Sequence, residues 1–583
     1  MLKYFLISSF TIFYGLSSYA QQVRPEKSVE IFNGLKTLNH LPKVLYIAAH
    51  PDDENTGLLA WLINNQHVET AYLSLTRGDG GQNLLGAEQG AALGLIRTHE
   101  LLEARKLDGA QQYFTRAIDF GFSKDTKDTF NQWDVDSLTA DVVWVIRKFR
   151  PDVIICRFPP TAAAGHGQHA ASAVVAAKAF KIAGNASAFP EQLKFVTPWQ
   201  PTRLLWNTYN FGSVNTTSND QFKIEVGQYD PLLGMGYGEL AGISRSLHKS
   251  QGAGTRSIAG TKTEYFSLVD GKSTSKTLFD GLDLDWKQKG QNAIATALQK
   301  ITIDFDFSHP AKSLPSLLAL RKNIASLSDG ALRKDKLKAL DKIILSCAGF
   351  MGEVITDEPE AVAGKTYPFQ LNLIVRDSNK VKLKSIDWLG QKQEVYQFLN
   401  DDELVFYKRD IQIPKGTELT QPYWLAKAPK NAATFSVTVD SLIGLPEAPA
   451  QNNVAVTLII GGEDFDVNLP LSYKKLDPVR GDVVEGLRIV PAVDVKVTEP
   501  VYFAKASQDL TIHVQFKAKE NVQDGVIEIS DEGRTVATFK NIKLDAGIIT
   551  NQAFMITAQA ISLVKTDQSK LQVVFKTGGV DYN

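Results

Sequence analysis

Between Lys43 and about residue 290, short apolar runs alternate with segments of helical periodicity, and this alternation narrows the fold more than any other feature of the chain. Residues 44–49 read as a buried strand, 56–65 as the helix after it and 71–75 as the next strand. Residues 87–107 and 138–149 read as helices, and 152–157 as a third buried strand. Strands this short and this uniformly apolar are covered on both faces, which implies parallel pairing through helical crossovers. The expected architecture is therefore a Rossmann-like three-layer α/β domain. The first strand lacks a following G-x-G-x-x-G turn, which argues against a dinucleotide site. Gly78-Asp79-Gly80-Gly81 after the second strand is a flexible turn, not a phosphate cradle.

A chain of 583 residues is too long for one core, and its style changes after about Asp285. Residues 291–300 and 314–346 have helical spacing, whereas from Gly352 onward short strands are separated by turns, among them 366–375, 434–439, 453–460 and 466–471. Later runs at 493–497, 510–518, 526–530 and 571–575 suggest a second sheet pair. The expected division is a signal peptide at 1–20, a catalytic domain at 24–290, a helical segment at 291–350, and β-sandwich domains at 351–480 and 481–583. Met1-Leu2-Lys3, the apolar run 4–16 and Ser18-Tyr19-Ala20 have the order of an export signal. The mature chain is thus expected to be exported, periplasmic or extracellular, with no transmembrane segment. A net charge of −1 gives no reason to expect a nucleic-acid partner. Cys156 and Cys347 lie in apolar segments and read as buried thiols, not as a disulfide or a metal site.

Two clusters carry chemistry. His50-Pro51-Asp52-Asp53-Glu54 crowds an imidazole and three carboxylates into five positions where the first strand ends. In an open α/β sheet, ligands bind beyond the carboxyl ends of the strands. Like charges packed so closely call for a cation among them. Gly165-His166-Gly167-Gln168-His169 follows the third buried strand, with its histidines three apart. Any one of these histidines alone reads as a surface or hydrogen-bonded residue. Together, His50, Asp53 and one of the two later histidines make a two-histidine, one-carboxylate set with a position left open, the arrangement of hydrolytic zinc.

These segments resemble the zinc-dependent PIG-L/LmbE-like de-N-acetylases. The family's A-H-P-D-D-E segment is matched by Ala49 to Glu54, and its H-x-x-H by His166 and His169. Leu75-Thr76-Arg77-Gly78-Asp79, Arg97 with Glu100, Ser246 to Gln251 and Glu264-Tyr265-Phe266 support the resemblance, which covers roughly 43–269. It implies His50, Asp53 and His169 as zinc ligands, Asp52 as general base, and His166 as the acid or electrostatic stabiliser of the tetrahedral intermediate. It also implies Arg77, Arg97 and His248 as weaker candidates for substrate contact, each with a structural alternative: a turn arginine, an ion pair with Glu100, a buried histidine. The sequence departs from the family pattern where Ala164 replaces a tyrosine found in some members and Gln168 replaces a carboxylate.

The expected function is that of an exported zinc-dependent amidohydrolase removing an acetyl or other acyl group from an amino-sugar glycan or glycoconjugate. A zinc-activated water would attack the amide with Asp52 as base. A competing reading is a non-catalytic carbohydrate-binding or scaffold protein with a vestigial zinc site. Trp199, Trp206, Tyr209, Trp388 and Trp424 are aromatics that could stack on sugars, although burial is their commoner use.

Overall fold

The computed structural model describes residues 23–211, 214–376, 380–499, 501–503, 508–562, 564 and 570–582. The signal peptide expected at 1–20 lies outside the described residues. After α1 (Ser28–Asn39) the chain runs β1 (Lys43–Ala48), α2 (Thr56–Asn64), β2 (Glu69–Ser74), α3 (Ala91–Asp108), β3 (Gln111–Phe114), α4 (Thr126–Phe130), α5 (Val135–Phe149), β4 (Val153–Cys156), α6 (Gly167–Ile182) and β5 (Arg203–Thr208).

Strands β1 to β5 pair in parallel in the order β3-β2-β1-β4-β5. The strands Lys262–Gly271 and Phe222–Val226 extend the sheet antiparallel beyond β5. Alternation within β1 explains its unbroken apolar run: Leu45 and Ile47 enter the core formed with α5 and α6, whereas Val44, Tyr46 and Ala48 enter the one formed with α2. The strand order reverses between β1 and β4. The crevice beyond their carboxyl ends is the place where such sheets bind ligands.

Three expected elements are corrected. α3 starts at Ala91, not at 87, because Gly90 takes φ +60° and cannot continue a helix. The expected helix 314–346 is two, Leu314–Ala325 and Ala331–Cys347, broken at Ser326-Leu327-Ser328-Asp329-Gly330. The expected strand at 434–439 is not one. It belongs to a long connection, 413–452, between the strands Val405–Gln412 and Asn453–Ile460.

That connection leaves the β region as an arm and lies along β3, the edge strand of the parallel sheet. Phe114 N–H donates to Gly444 O (3.0 Å), Ile118 N–H to Ala433 O (2.9 Å) and the Trp144 indole to Ile443 O (2.8 Å). An exposed edge is a liability, and here a distant segment covers it.

The apolar cores do not follow the linear division of the chain. Ile31, Leu35 and Leu38 of α1 share one core with Leu317 and Leu340 of the later helices and with Leu371, Leu383 and Val456 of the first β region. In that region the long strand Glu463–Asp477 pairs with Asn453–Ile460 along its first half and with Met351–Thr356 and Gly481–Gly486 along its second. The last region places a three-stranded and a four-stranded sheet on a separate core that includes Val514, Phe516, Ile527 and Phe575. Cys156 and Cys347 are free and buried. Among the described residues no helix is long and apolar enough to cross a membrane.

His67, in the turn before β2, stands at φ +52° with its Nδ1 buried and unbonded. Burial, and then the charge of Lys36, pull it down to about 4. An unfolded histidine titrates near 6.5, so between these values the unfolded chain binds the proton first. The stabilisation is complete above about pH 6.5 and is lost as pH falls toward 4. Urea titrations at pH 7 and pH 4.5 are expected to show that His67→Asn removes on the order of 2 kcal/mol of this acid sensitivity. An equal loss in both proteins would refute the assignment.

Candidate metal centre

The turn after β1 carries His50 to Asn55, and Asn55 caps α2 by accepting from Leu58 N–H (3.1 Å). Within the turn, Asp53 Oδ2 accepts from His50 N–H (2.7 Å). His166 is the N-cap of α6 and His169 lies in its first turn. Donor atoms of His50, His166 and His169 all lie within 4.8 Å of one another. Asp53 stands between two of these rings, with Oδ2 3.3 Å from His50 Nδ1 and Oδ1 3.4 Å from His169 Nε2.

The surrounding hydrogen bonds fix the tautomers. Gln168 donates its amide to Asp119 Oδ1 (3.1 Å) and Gly121 O (2.7 Å), so its Oε1 faces His50 Nε2 (2.7 Å) as an acceptor. His50 therefore carries a proton on Nε2. His169 Nδ1 donates to Ala164 O (2.8 Å), and Phe158 stacks on the ring at 3.8 Å. In their neutral forms both rings present lone pairs to the Asp53 carboxylate, an arrangement that repels unless a cation lies between them. Burial lowers His50, but the hydrogen bond and charge of Asp53 outweigh it and hold the imidazole up at about 9. Burial opposes ionisation of Asp53, yet His169 and His50 keep it well below the usual carboxylate range. Nitrogen and oxygen donors with no thiol among them fit a divalent metal such as zinc, which His50, Asp53 and His169 could hold.

His166 plays a different part. Its Nδ1 accepts from Gln168 N–H (3.3 Å), which leaves the proton on Nε2 and takes the ring out of the ligand set in this tautomer. Burial, and then the neighbouring imidazoles, pull it down to about 4, so it is neutral at pH 7. The exposed ring of Phe122, 75% accessible, stands 5.8 Å from it at the mouth of the site. Asp52 is pushed up to about 6 by burial and then by the charge of Asp53. That is near the working pH, as a general base requires.

The structure places the three weaker candidates for substrate contact among structural partners. Arg77 is 1% exposed and points away from the metal centre into the β-region arm. Its guanidinium lies between the rings of Phe114 (4.3 Å) and Trp424 (4.5 Å) and donates to Leu445 O and Pro446 O, each at 3.1 Å. His248 is fully buried, with Nε2 2.9 Å from Glu54 Oε1. Arg97 braces the turn after β2, donating to Gln82 O (2.7 Å) where a Cβ on Gly78 or Gly81 would collide with it. Its expected partner Glu100 accepts instead from Ser250 N–H and Oγ, both at 2.7 Å. Trp388 and Trp424 are buried and offer no surface to a sugar.

Sequence reasoning passed over Gln168 as an orienting group, although its place between two candidate histidines was a signal. Asp119, Phe122 and Arg245 carry no local signal, since only tertiary packing brings them here. No tyrosine stands at 164, but Tyr209, just past the end of β5, donates its hydroxyl to the neighbouring Ala163 O (2.8 Å).

The turn after β1 and the start of α6 thus bring together imidazole and carboxylate donors that could hold a metal ion, beyond the carboxyl ends of an open α/β sheet. Residues 45–180 match the family model of PIG-L, GlcNAc-PI de-N-acetylase, and the chain carries a domain of that family. The 1D-myo-inositol 2-acetamido-2-deoxy-alpha-D-glucopyranoside deacetylase of Streptomyces avermitilis is 27% identical over 182 residues, covering 28% of this chain and 60% of that protein. The diacetylchitobiose deacetylase of Thermococcus kodakarensis is 30% identical over 148 residues, covering 25% and 52%. Among solved structures, the N,N'-diacetylchitobiose deacetylase of Pyrococcus horikoshii aligns at 20% identity with a TM-score of 0.27, covering 36% of this chain and 70% of that one. The chain spans between about half and two thirds of the length of these curated relatives.

Proposed function

We propose that the protein is an exported zinc-dependent deacetylase that hydrolyses the acetamido group of an amino-sugar glycan or glycoconjugate. The observation that carries this reading is the convergence of His50 Nδ1 and His169 Nε2 on Asp53, with Asp52 and His166 at its sides. A zinc ion held there would act as a Lewis acid, polarising the amide carbonyl and acidifying water. Asp52 takes the proton from the attacking water and returns it to the departing amine. His166 Nε2–H donates to the oxyanion as a neutral hydrogen-bond donor. Water is consumed, and a carboxylate and an amine are released. Relatives that act on amino-sugar acetamides support the substrate class, and the charge-then-apolar-then-small order of residues 1–20 supports export.

The deciding experiment measures bound metal and acetate release from N-acetylated sugars and oligosaccharides. Purified protein is expected to hold about one zinc per chain. Chelation is expected to abolish acetate release, and added zinc to restore it. Release that survives full removal of metal, or no release from any N-acetylated sugar, would overturn the proposal.

Phe122 offers a flat apolar face beside His166, suited to the C–H face of a sugar ring. Phe122→Ala is expected to raise KM about three- to tenfold on an oligosaccharide substrate while leaving kcat unchanged. An unchanged KM would remove Phe122 from the substrate site.

A further inference from the structure

Asp52 stands at φ +96°. The nine other non-glycine residues of positive φ among the described residues fall between +47° and +73°, around the ordinary left-handed basin. Asp52 lies outside it. Backbone strain of this kind persists only where the surroundings over-determine it, and it clusters at functional sites.

Two groups grip the backbone of Asp52. Its N–H donates to Glu54 Oε2 (3.0 Å), and its carbonyl accepts from Arg245 Nη1. Glu54 is itself immobilised: its Oε1 accepts from Arg105 Nη2 (3.2 Å) and meets His248 Nε2 (2.9 Å), all within the buried interior. Arg105 is tied in turn to Asp108 Oδ1 (3.0 Å). Arg245 comes from the last turn of the helix Tyr237–Arg245, far along the chain. Both oxygens of Glu54 are acceptors for donors on three different segments. A glutamine there would aim an amide N–H at one of those donors.

We propose that Glu54 and Arg245 are positioning residues: they hold the Asp52 backbone in its strained conformation and so aim the carboxylate of the base. The inference rests on the deacetylase reading for its catalytic consequence, but the strain and its clamp stand on geometry alone. Glu54 does not touch the reacting atoms, and His248 and Arg105 act through it. Buried His248, in the segment 246–251, thereby gains a role in holding Glu54 in this clamp.

Arg245 is only half-buried, so it can be changed without opening the core. Arg245→Met is expected to keep wild-type zinc content and a KM within about twofold while kcat falls tenfold or more, and Arg245→Lys is expected to recover most of the loss. The second readout is thermal and needs no activity. Glycine adopts positive φ freely, so Asp52→Gly is expected to melt about 2–4 °C above Asp52→Ala. In the Arg245→Met background, where the turn can relax, that gap is expected to shrink by half or more. An unaltered kcat in Arg245→Met, or equal melting temperatures for Asp52→Gly and Asp52→Ala, would overturn the proposal. If the wild-type protein releases no acetate, the deacetylase reading fails, and the melting comparison still decides whether the clamp exists.

Discussion

Asp52→Asn is expected to retain zinc and to lose turnover by a factor on the order of 10²–10⁴, the range that a positioned general base supplies. Asparagine matches the side chain in shape and keeps the backbone bonds to Glu54 and Arg245. It cannot accept the proton of the attacking water. The ligand set of His50, Asp53 and His169 is untouched, and removal of a negative charge beside Asp53 relieves the repulsion that raises Asp52. Acetate release and metal content measured on the same preparation separate the two effects. A variant that loses its zinc would make Asp52 part of the ligand set. One that keeps activity within tenfold would place the base elsewhere.

Arg77→Ala is expected to destabilise the protein by about 3 kcal/mol, through the part-buried Pro446 carbonyl left without its donor and a desolvated cation–π stack removed. Burial pulls the guanidinium's pKa down, so part of the loss is offset when that charge no longer has to be desolvated. Lysine is a poor substitute, because the site between Phe114 and Trp424 takes a planar group. The arm 413–452 should then be cut by protease well before the rest of the chain, and the first urea transition should move to lower concentration. An arm as resistant as in wild type would show that the backbone bonds of Phe114 and Ile118 hold it without Arg77.

Arg77 also shows why a local motif can mislead. In sequence it follows a buried strand and precedes a glycine turn, the position of a substrate contact. In the fold, the same strand end faces an arm from far along the chain, and the bond from Arg77 to Pro446 spans 369 positions. His248 was ambiguous for the same reason: its partner Glu54 lies 194 positions earlier. The helix boundary at Gly90 and the break at residues 326–330 were written in the sequence as glycine and turn-forming residues, but apolar spacing on either side outweighed them.

The chain's own sequence was enough to place a parallel α/β sheet at 44–157, because a strand buried on both faces must be apolar throughout and its crossovers must be helical. It was also enough to mark His50, Asp52 and Asp53, since five adjacent positions on one turn share a single location whatever the rest of the chain does. The tertiary structure alone decided what surrounds them. Gln168 and Asp119 set the tautomer of His50, Arg245 grips the backbone carbonyl of Asp52, and a β-region arm buries Arg77. Each of these depends on packing between segments distant in the chain, and no short-range pattern of residue types encodes which distant side chain will arrive.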